Sequence, residues 1–184
     1  MAVLVEAISV IIKRSAIDEK FPGEWNGFLS QLPNKTMCAD SELVRIGFMS
    51  PVDVESYVKL LESHGIQYKA NGPAIDLVVA DQQRGFAETC DWASFGRGSI
   101  DGNPDHVVAG CVAVNSSEGT LVTPDGWEYE GSLSQTFTFT PAESIDKSLK
   151  FLRHEDGLDV YLNLVTGQEV YVGRSSSQQG EGRQ

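Results

Sequence analysis

Ser50-Pro51-Val52-Asp53-Val54-Glu55-Ser56-Tyr57-Val58-Lys59-Leu60-Leu61-Glu62-Ser63-His64-Gly65 is the stretch from which the rest of the chain can be placed. Ser50 offers a side-chain oxygen where a helix leaves its first backbone N–H groups without partners. Pro51 takes the first helical position, where its missing N–H costs nothing, and Asp53 sits near the positive helix end. Val54, Tyr57, Val58 and Leu61 follow the i, i+3, i+4, i+7 spacing of one apolar stripe. Gly65 accepts the left-handed conformation that ends a helix. The pattern predicts a helix from Pro51 to about Ser63.

On either side of this helix the apolar residues change period. Leu43, Val44, Ile46, Phe48 and Met49 suggest a strand within Lys35 to Met49, with Ala39-Asp40-Ser41 as a turn or bulge before it. Ile75, Leu77, Val78 and Val79 suggest another strand, ending in Ala80 to Gly85. Upstream, Ala7, Ile8, Val10, Ile11 and Ile12 form a β-branched run suited to a buried strand. Ser15 with Asp18 resembles a capping box. After the Phe21-Pro22-Gly23 break, Trp25, Phe28, Leu29 and Leu32 keep helical spacing until Pro33-Asn34. Strand, helix, strand, helix, strand predicts an α+β fold. Its N-terminal βαβαβ subdomain, residues 1–85, resembles a ferredoxin-like arrangement of one sheet with two helices on one face, a likeness that transfers no function.

Residues 86–104 are glycine-rich and polar, with Gly96, Gly98 and Gly102 among Asp91, Arg97 and Asp101, and are expected to be a connecting loop that Cys90, Trp92 and Phe95 partly anchor. Residues 105–172 read as a mainly antiparallel β subdomain. Expected strands are Val107 to Val114, Thr120 to Thr123, Trp127 to Leu133 and Gln135 to Thr140, joined by turns at Asn115 to Gly119 and Pro124-Asp125-Gly126. For 145–154 both helix and strand fit; a short helix leading into a strand at Leu158 to Leu164 is favoured, with Val170 to Val172 after it. The polar tail 173–184 is expected to be disordered.

Of the 184 residues 26 are acidic and 14 basic, a formal net charge of −12, so the averaged field repels nucleic-acid backbones and anionic lipid. The longest apolar run, Val107 to Val114, is far short of the roughly 20 residues a membrane-crossing helix needs. The opening Met1-Ala2-Val3-Leu4-Val5-Glu6 lacks the basic and apolar segments of an export signal. Cys38, Cys90 and Cys111 are odd in number and widely spaced. A cytoplasmic protein with free thiols is expected, without a metal site or cofactor. No phosphate-cradling glycine motif and none of the familiar hydrolase signatures is present.

The most suggestive polar stretch is Asp81-Gln82-Gln83-Arg84, followed by Cys90-Asp91-Trp92, because polar groups at the end of a buried strand are held firmly yet reach solvent. Asp81, Gln83, Arg84 and Trp92 are therefore the candidate binding residues. Cys90 is a weaker candidate nucleophile, with His106 as its base and Asp91 or Asp105 orienting the imidazole. The structural alternatives are turn hydrogen bonds for Asp81 and Arg84 and a packed thiol for Cys90. Charge and missing motifs together favour a small acidic cytoplasmic binding or regulatory protein, of inhibitor or immunity type, that recognises a basic protein partner. The alternative is a thiol or acid–base enzyme, or a small-ligand sensor, using a cleft at the end of the third strand.

Overall fold

The computed structural model describes residues 1–114, 116, 120–136, 149–155, 158–163 and 169–173. They belong to two compact units, Met1–Thr138 and Phe139–Gln184. The first contains, in chain order, β1 (Ala2–Val5), β2 (Ile8–Lys13), α1 (Arg14–Lys20), α2 (Glu24–Ser30), β3 (Cys38–Ala39), β4 (Leu43–Phe48) and α3 (Pro51–Ser63). It continues with β5 (Leu77–Asp81), β6 (Gly85–Phe86), β7 (Ala93–Ser99), β8 (Val107–Ala113), β9 (Leu121–Val122) and α4 (Leu133–Thr136).

β2 is the centre. It pairs antiparallel with β4 on one side and β5 on the other, in a five-stranded sheet ordered β3-β4-β2-β5-β6. β4 and β5 therefore run the same way, and α3 carries the chain between them past β2. Period-two alternation gives each face a different role. Val10, Ile12, Val44, Ile46 and Leu77 pack toward α1, α2 and α3, where Phe28, Tyr57, Val58 and Leu61 are buried. Ile11, Leu43, Val78 and Ala80 face a second sheet, ordered β7-β8-β1-β9. The fold is α+β, and the helix signals in Ser50 to Gly65 hold in detail. The Val52 N–H donates to Ser50 Oγ at 3.2 Å, all four stripe residues are buried, and Gly65 has φ +95°.

Several expectations need correction. The N-terminal residues Ala2–Val5, passed over in the sequence, form β1 between β8 and β9. The chain then changes sheets through Glu6-Ala7, with Ala7 at φ +48°. Ser15 does not cap α1, which starts at Arg14 without a side-chain cap. The Arg14 N–H is taken by Glu42 O and that of Lys13 by Asp76 O, carbonyls of the adjoining chain. The expected loop 86–104 contains β7, which pairs with β8 through seven residues. Gly96 and Gly98 are held in the strand by pairing with Gly110 and Val108, and a Cβ at either would meet nothing within 4 Å. Trp127 to Leu133 is not a strand: hydrogen bonds from Trp127 N to Pro124 O and from Ser132 N to Tyr129 O curl it into turns that lead to α4.

The second unit contains β10 (Leu149–Glu155), β11 (Leu158–Asn163) and β12 (Glu169–Gly173), an antiparallel meander. Residues 149–154 are thus strand where helix was favoured, because they pair along β11. The expectations for 137–148, for most of the 115–119 turn and for 174–184 lie outside the described residues. Among the described residues no helix is long and apolar enough to cross a membrane.

Candidate functional site

At the end of β5 the Asp81 carboxylate turns inward on its own chain. Its Oδ1 accepts the N–H groups of Gln83 at 2.8 Å and Arg84 at 2.9 Å, which shapes the turn into β6, and Gly85 completes it at φ +84°. The structural alternative therefore accounts for Asp81, while the Gln83 and Arg84 side chains are exposed. The group that braces this turn is Arg97 of β7, whose guanidinium donates to Gln82 O at 3.0 Å and Gln83 O at 2.6 Å. Gln82 is the buried amide. Its Oε1 accepts the Ala7 N–H at 3.0 Å and its own backbone N–H donates to Ala7 O at 2.9 Å, closing the crossover between the sheets.

Trp92 is likewise held within the fold. Its indole N–H donates to Ala74 O at 3.1 Å, and Lys13 Nζ lies 4.9 Å from its ring centre. Cys90 and His106 do not meet. β7 pairs with β8 from Ala93–Ala113 at one end to Ser99–Val107 at the other. Cys90 precedes the first end and His106 the second, so six residue steps, about 20 Å of strand, separate the two positions. Burial raises the Cys90 pKa, and Asp91 adds to the effect against the Trp92 and Ala93 N–H groups and Lys13, so the thiol is held protonated. The His106 imidazole stacks on Tyr129 at 4.3 Å, with Nδ1 buried and without a hydrogen-bond partner. Asp91, exposed, stands at the Cys90 end of the hairpin and so is separated from His106 by the same span. Among the described residues no group of three His, Cys, Asp or Glu side chains could hold a metal ion.

A second polar cluster lies where the chain crosses between sheets. Arg45, 2% exposed, donates to Ser9 Oγ at 2.9 Å, Glu6 O at 2.9 Å and Thr36 O at 3.0 Å. The Glu6 carboxylate accepts from Ser134 Oγ at 2.7 Å and Ser134 N at 2.9 Å, which ties α4 to the crossover. Every one of these groups faces a partner inside the protein, so the cluster holds the two sheets together and does not open on a ligand.

A concave surface lies elsewhere, along the outer flank of α3. Val54 and Val58 form one wall, Val79 and Ala87 from the sheet edge form the floor, and Tyr68 closes one end. The volume is about 350 Å³, open along one side. Glu55, Lys59 and Glu62 stand on the rim. Lys59 pairs with Glu55 at 2.6 Å and Lys69 pairs with Glu88 at 2.6 Å, whereas Glu62 forms no ion pair among the described residues. Burial first, then Glu88 and, more weakly, Glu62 raise the Tyr68 phenol pKa against Lys69. At the first turn of α3, Val52 is 69% exposed and Met49 just before it 55%. Sequence reasoning missed this surface because its lining combines one flank of α3 with Tyr68, Val79 and Ala87, which are separated along the chain.

No family model, curated protein or solved structure matches this chain.

Proposed function

We propose that the protein is a small acidic cytoplasmic binding or regulatory protein, of inhibitor or immunity type, and that it recognises a basic protein partner. The observation that carries this reading is the groove along α3, whose apolar floor and charged rim have the composition of a protein-recognition surface. At about 350 Å³ it is at the small end of ligand cavities, and it is open rather than enclosing, which suits side chains of a partner better than a whole metabolite. The net charge of −12 favours a partner of opposite sign and speeds their encounter. The competing thiol enzyme is weakened by a protonated Cys90 with no imidazole beside it. Gln83 and Arg84, exposed at the end of β5, are a secondary contact in this proposal.

We also read the five-stranded sheet as a ferredoxin-like arrangement in permuted chain order. What supports it is the all-antiparallel order β3-β4-β2-β5, the β4-α3-β5 crossover past β2, and helices on one face alone.

Affinity capture on the immobilised full chain, followed by binding kinetics at two ionic strengths, tests the function. A protein partner should be recovered, its association should slow as salt rises while dissociation changes less, and Ala87→Arg in the groove floor should release it. Retention of a small metabolite with no protein partner would overturn the proposal.

A further inference from the structure

β7 is an outer strand of its sheet, ordered β7-β8-β1-β9, and is seven residues long, whereas β9, β3 and β6, the other outer strands of the Met1–Thr138 unit, have two each. Shortness, proline, lysine or a bulge keeps foreign strands from pairing with a sheet edge. β7 has no proline or lysine and pairs with β8 without a register shift. Its one charged side chain, Arg97, is drawn across to Gln82 O and Gln83 O.

Two hydrogen bonds fix which way the β7 backbone points. The Val114 N–H donates to Trp92 O at 3.0 Å, and the Ile100 N–H donates to His106 O at 3.1 Å. In an antiparallel ladder such bonds join every second pair of opposite residues. Ser94, Gly96 and Gly98 therefore bond to β8, and Phe95 and Ser99 direct their N–H and C=O groups to the outer edge. Side chains alternate too. Phe95 packs on the core between the sheets, so Ser94, Gly96 and Gly98 share the opposite face, where all three are exposed.

The chain itself requires neither glycine. Their φ angles lie outside the left-handed region, and a Cβ at either would meet nothing within 4 Å. A strand glycine of this kind suits close approach by another backbone. A strand added at this edge would bond to Phe95 and Ser99. It would set two of its own residues, i and i+2, opposite Gly96 and Gly98 in the non-bonded pairs, where Cα atoms are only about 4.5 Å apart. Both residues find bare backbone across from them, which aromatic rings cover well. Two β7 edges paired about Arg97 would instead set Gly96 opposite Gly98 on both strands and leave that backbone bare, which disfavours a second copy. Beyond Ser99, Asp101 and Asp105 are exposed and form no ion pair among the described residues.

We propose that β7 accepts an extended segment of a partner protein as an additional edge strand, with aromatic residues at two alternating positions over Gly96 and Gly98 and a basic residue beyond them against Asp101 and Asp105. β7 shares no residue with the groove along α3, so this proposal and the groove stand or fall separately.

The test uses the full chain, labelled with nitrogen-15, and synthetic peptides of equal length in which Tyr alternates with Thr between Lys ends. In the free chain the Gly96 and Gly98 amides should exchange with solvent more slowly than those of Phe95 and Ser99. The Tyr/Thr peptide should shift the β7 amides and slow exchange at Phe95 and Ser99. Methylating the Thr backbone nitrogens, which face β7, should weaken binding about tenfold or more, while methylating the Tyr nitrogens, which face away, should leave it within about twofold. Ala in place of Tyr, Glu in place of the Lys ends, and Gly98→Val in the protein should each weaken it about fivefold or more. Gly98→Val points into open space, and the nitrogen-15 spectrum checks its fold; the methylated peptides test the ladder with the native chain. Peptide shifts outside β7, binding that survives Thr methylation, equal affinity for Tyr and Ala or for Lys and Glu peptides, or no binding would each overturn the proposal. Shifts of the β7 amides with protein concentration alone would assign the edge to a second copy and overturn it as well.

Discussion

Gly47→Ala should be costly although the site is an ordinary strand position. Gly47 lies in β4 opposite Ser9, and its φ is not in the left-handed region, so an alanine backbone is unstrained there. The obstacle is the Arg45 side chain: an added Cβ would lie 2.7 Å from the guanidinium carbon and closer still to Nη2. The guanidinium would have to move, and Nη2 is the atom that donates to Glu6 O at 2.9 Å. Loss of a buried hydrogen bond from a charged group costs roughly 1.5–3 kcal/mol and overpacking roughly 1–3 kcal/mol. Because a guanidinium that swings away relieves the crowding as it breaks the bond, these overlap, and the expected destabilisation is about 2–4 kcal/mol. Urea denaturation followed by tryptophan fluorescence measures it, since Trp25, Trp92 and Trp127 all lie in the Met1–Thr138 unit. In an Arg45→Met background the obstacle is gone, and the same alanine should cost less than about 1 kcal/mol. A loss under about 0.5 kcal/mol in the native background, or equal losses in both, would refute the role given to this contact.

Ser50→Ala removes the acceptor for the Val52 N–H and should lower stability by roughly 0.5–2 kcal/mol in the same denaturation assay. Burial pushes the Cys38 thiol from 9.0 up to about 11 and raises Cys111 further, so both are protonated in the fold at neutral pH. The unfolded thiols ionise first as pH rises, so this stabilisation is complete below about pH 9 and declines through about pH 11; unfolding titrations at pH 8 and 10.5 should show the loss, and equal values would contradict it. For the same reason native protein at pH 7.5 should react slowly with a thiol reagent at Cys38 and Cys111, while all three cysteines should react in urea.

The elements that the sequence revealed are those whose signals are local. Ser50, Pro51 and Gly65 mark the ends of α3 through their own backbone chemistry, and the β-branched run at Ile8 to Ile12 identifies the central strand without reference to its neighbours. β1 and β7 were missed because pairing, not propensity, makes them strands. Ala2–Val5 is short and Ala93–Ser99 carries two glycines, yet each has β8 as a partner. Trp127 and Tyr129 misled in the opposite direction, since aromatic alternation suggested a strand where turns bury Tyr129 against His106. The candidate site shows the same division. Asp81 was found because strand ends are visible in sequence, but its carboxylate serves the turn. Arg97, 16 residues further on, and the groove formed by Val58, Tyr68, Val79 and Ala87 depend on chain crossings that no local pattern records.

Site-specific photo-cross-linking in the native cell tests the central claim most directly. A photoreactive residue at Ala87, on the groove floor, should capture a basic protein, and the adduct should disappear when Glu62→Lys is added. The same probe at Glu128, exposed and distant in sequence from the groove, should capture none of it. Equal capture at both positions, or a groove adduct indifferent to Glu62→Lys, would contradict the assignment of this surface as the binding site.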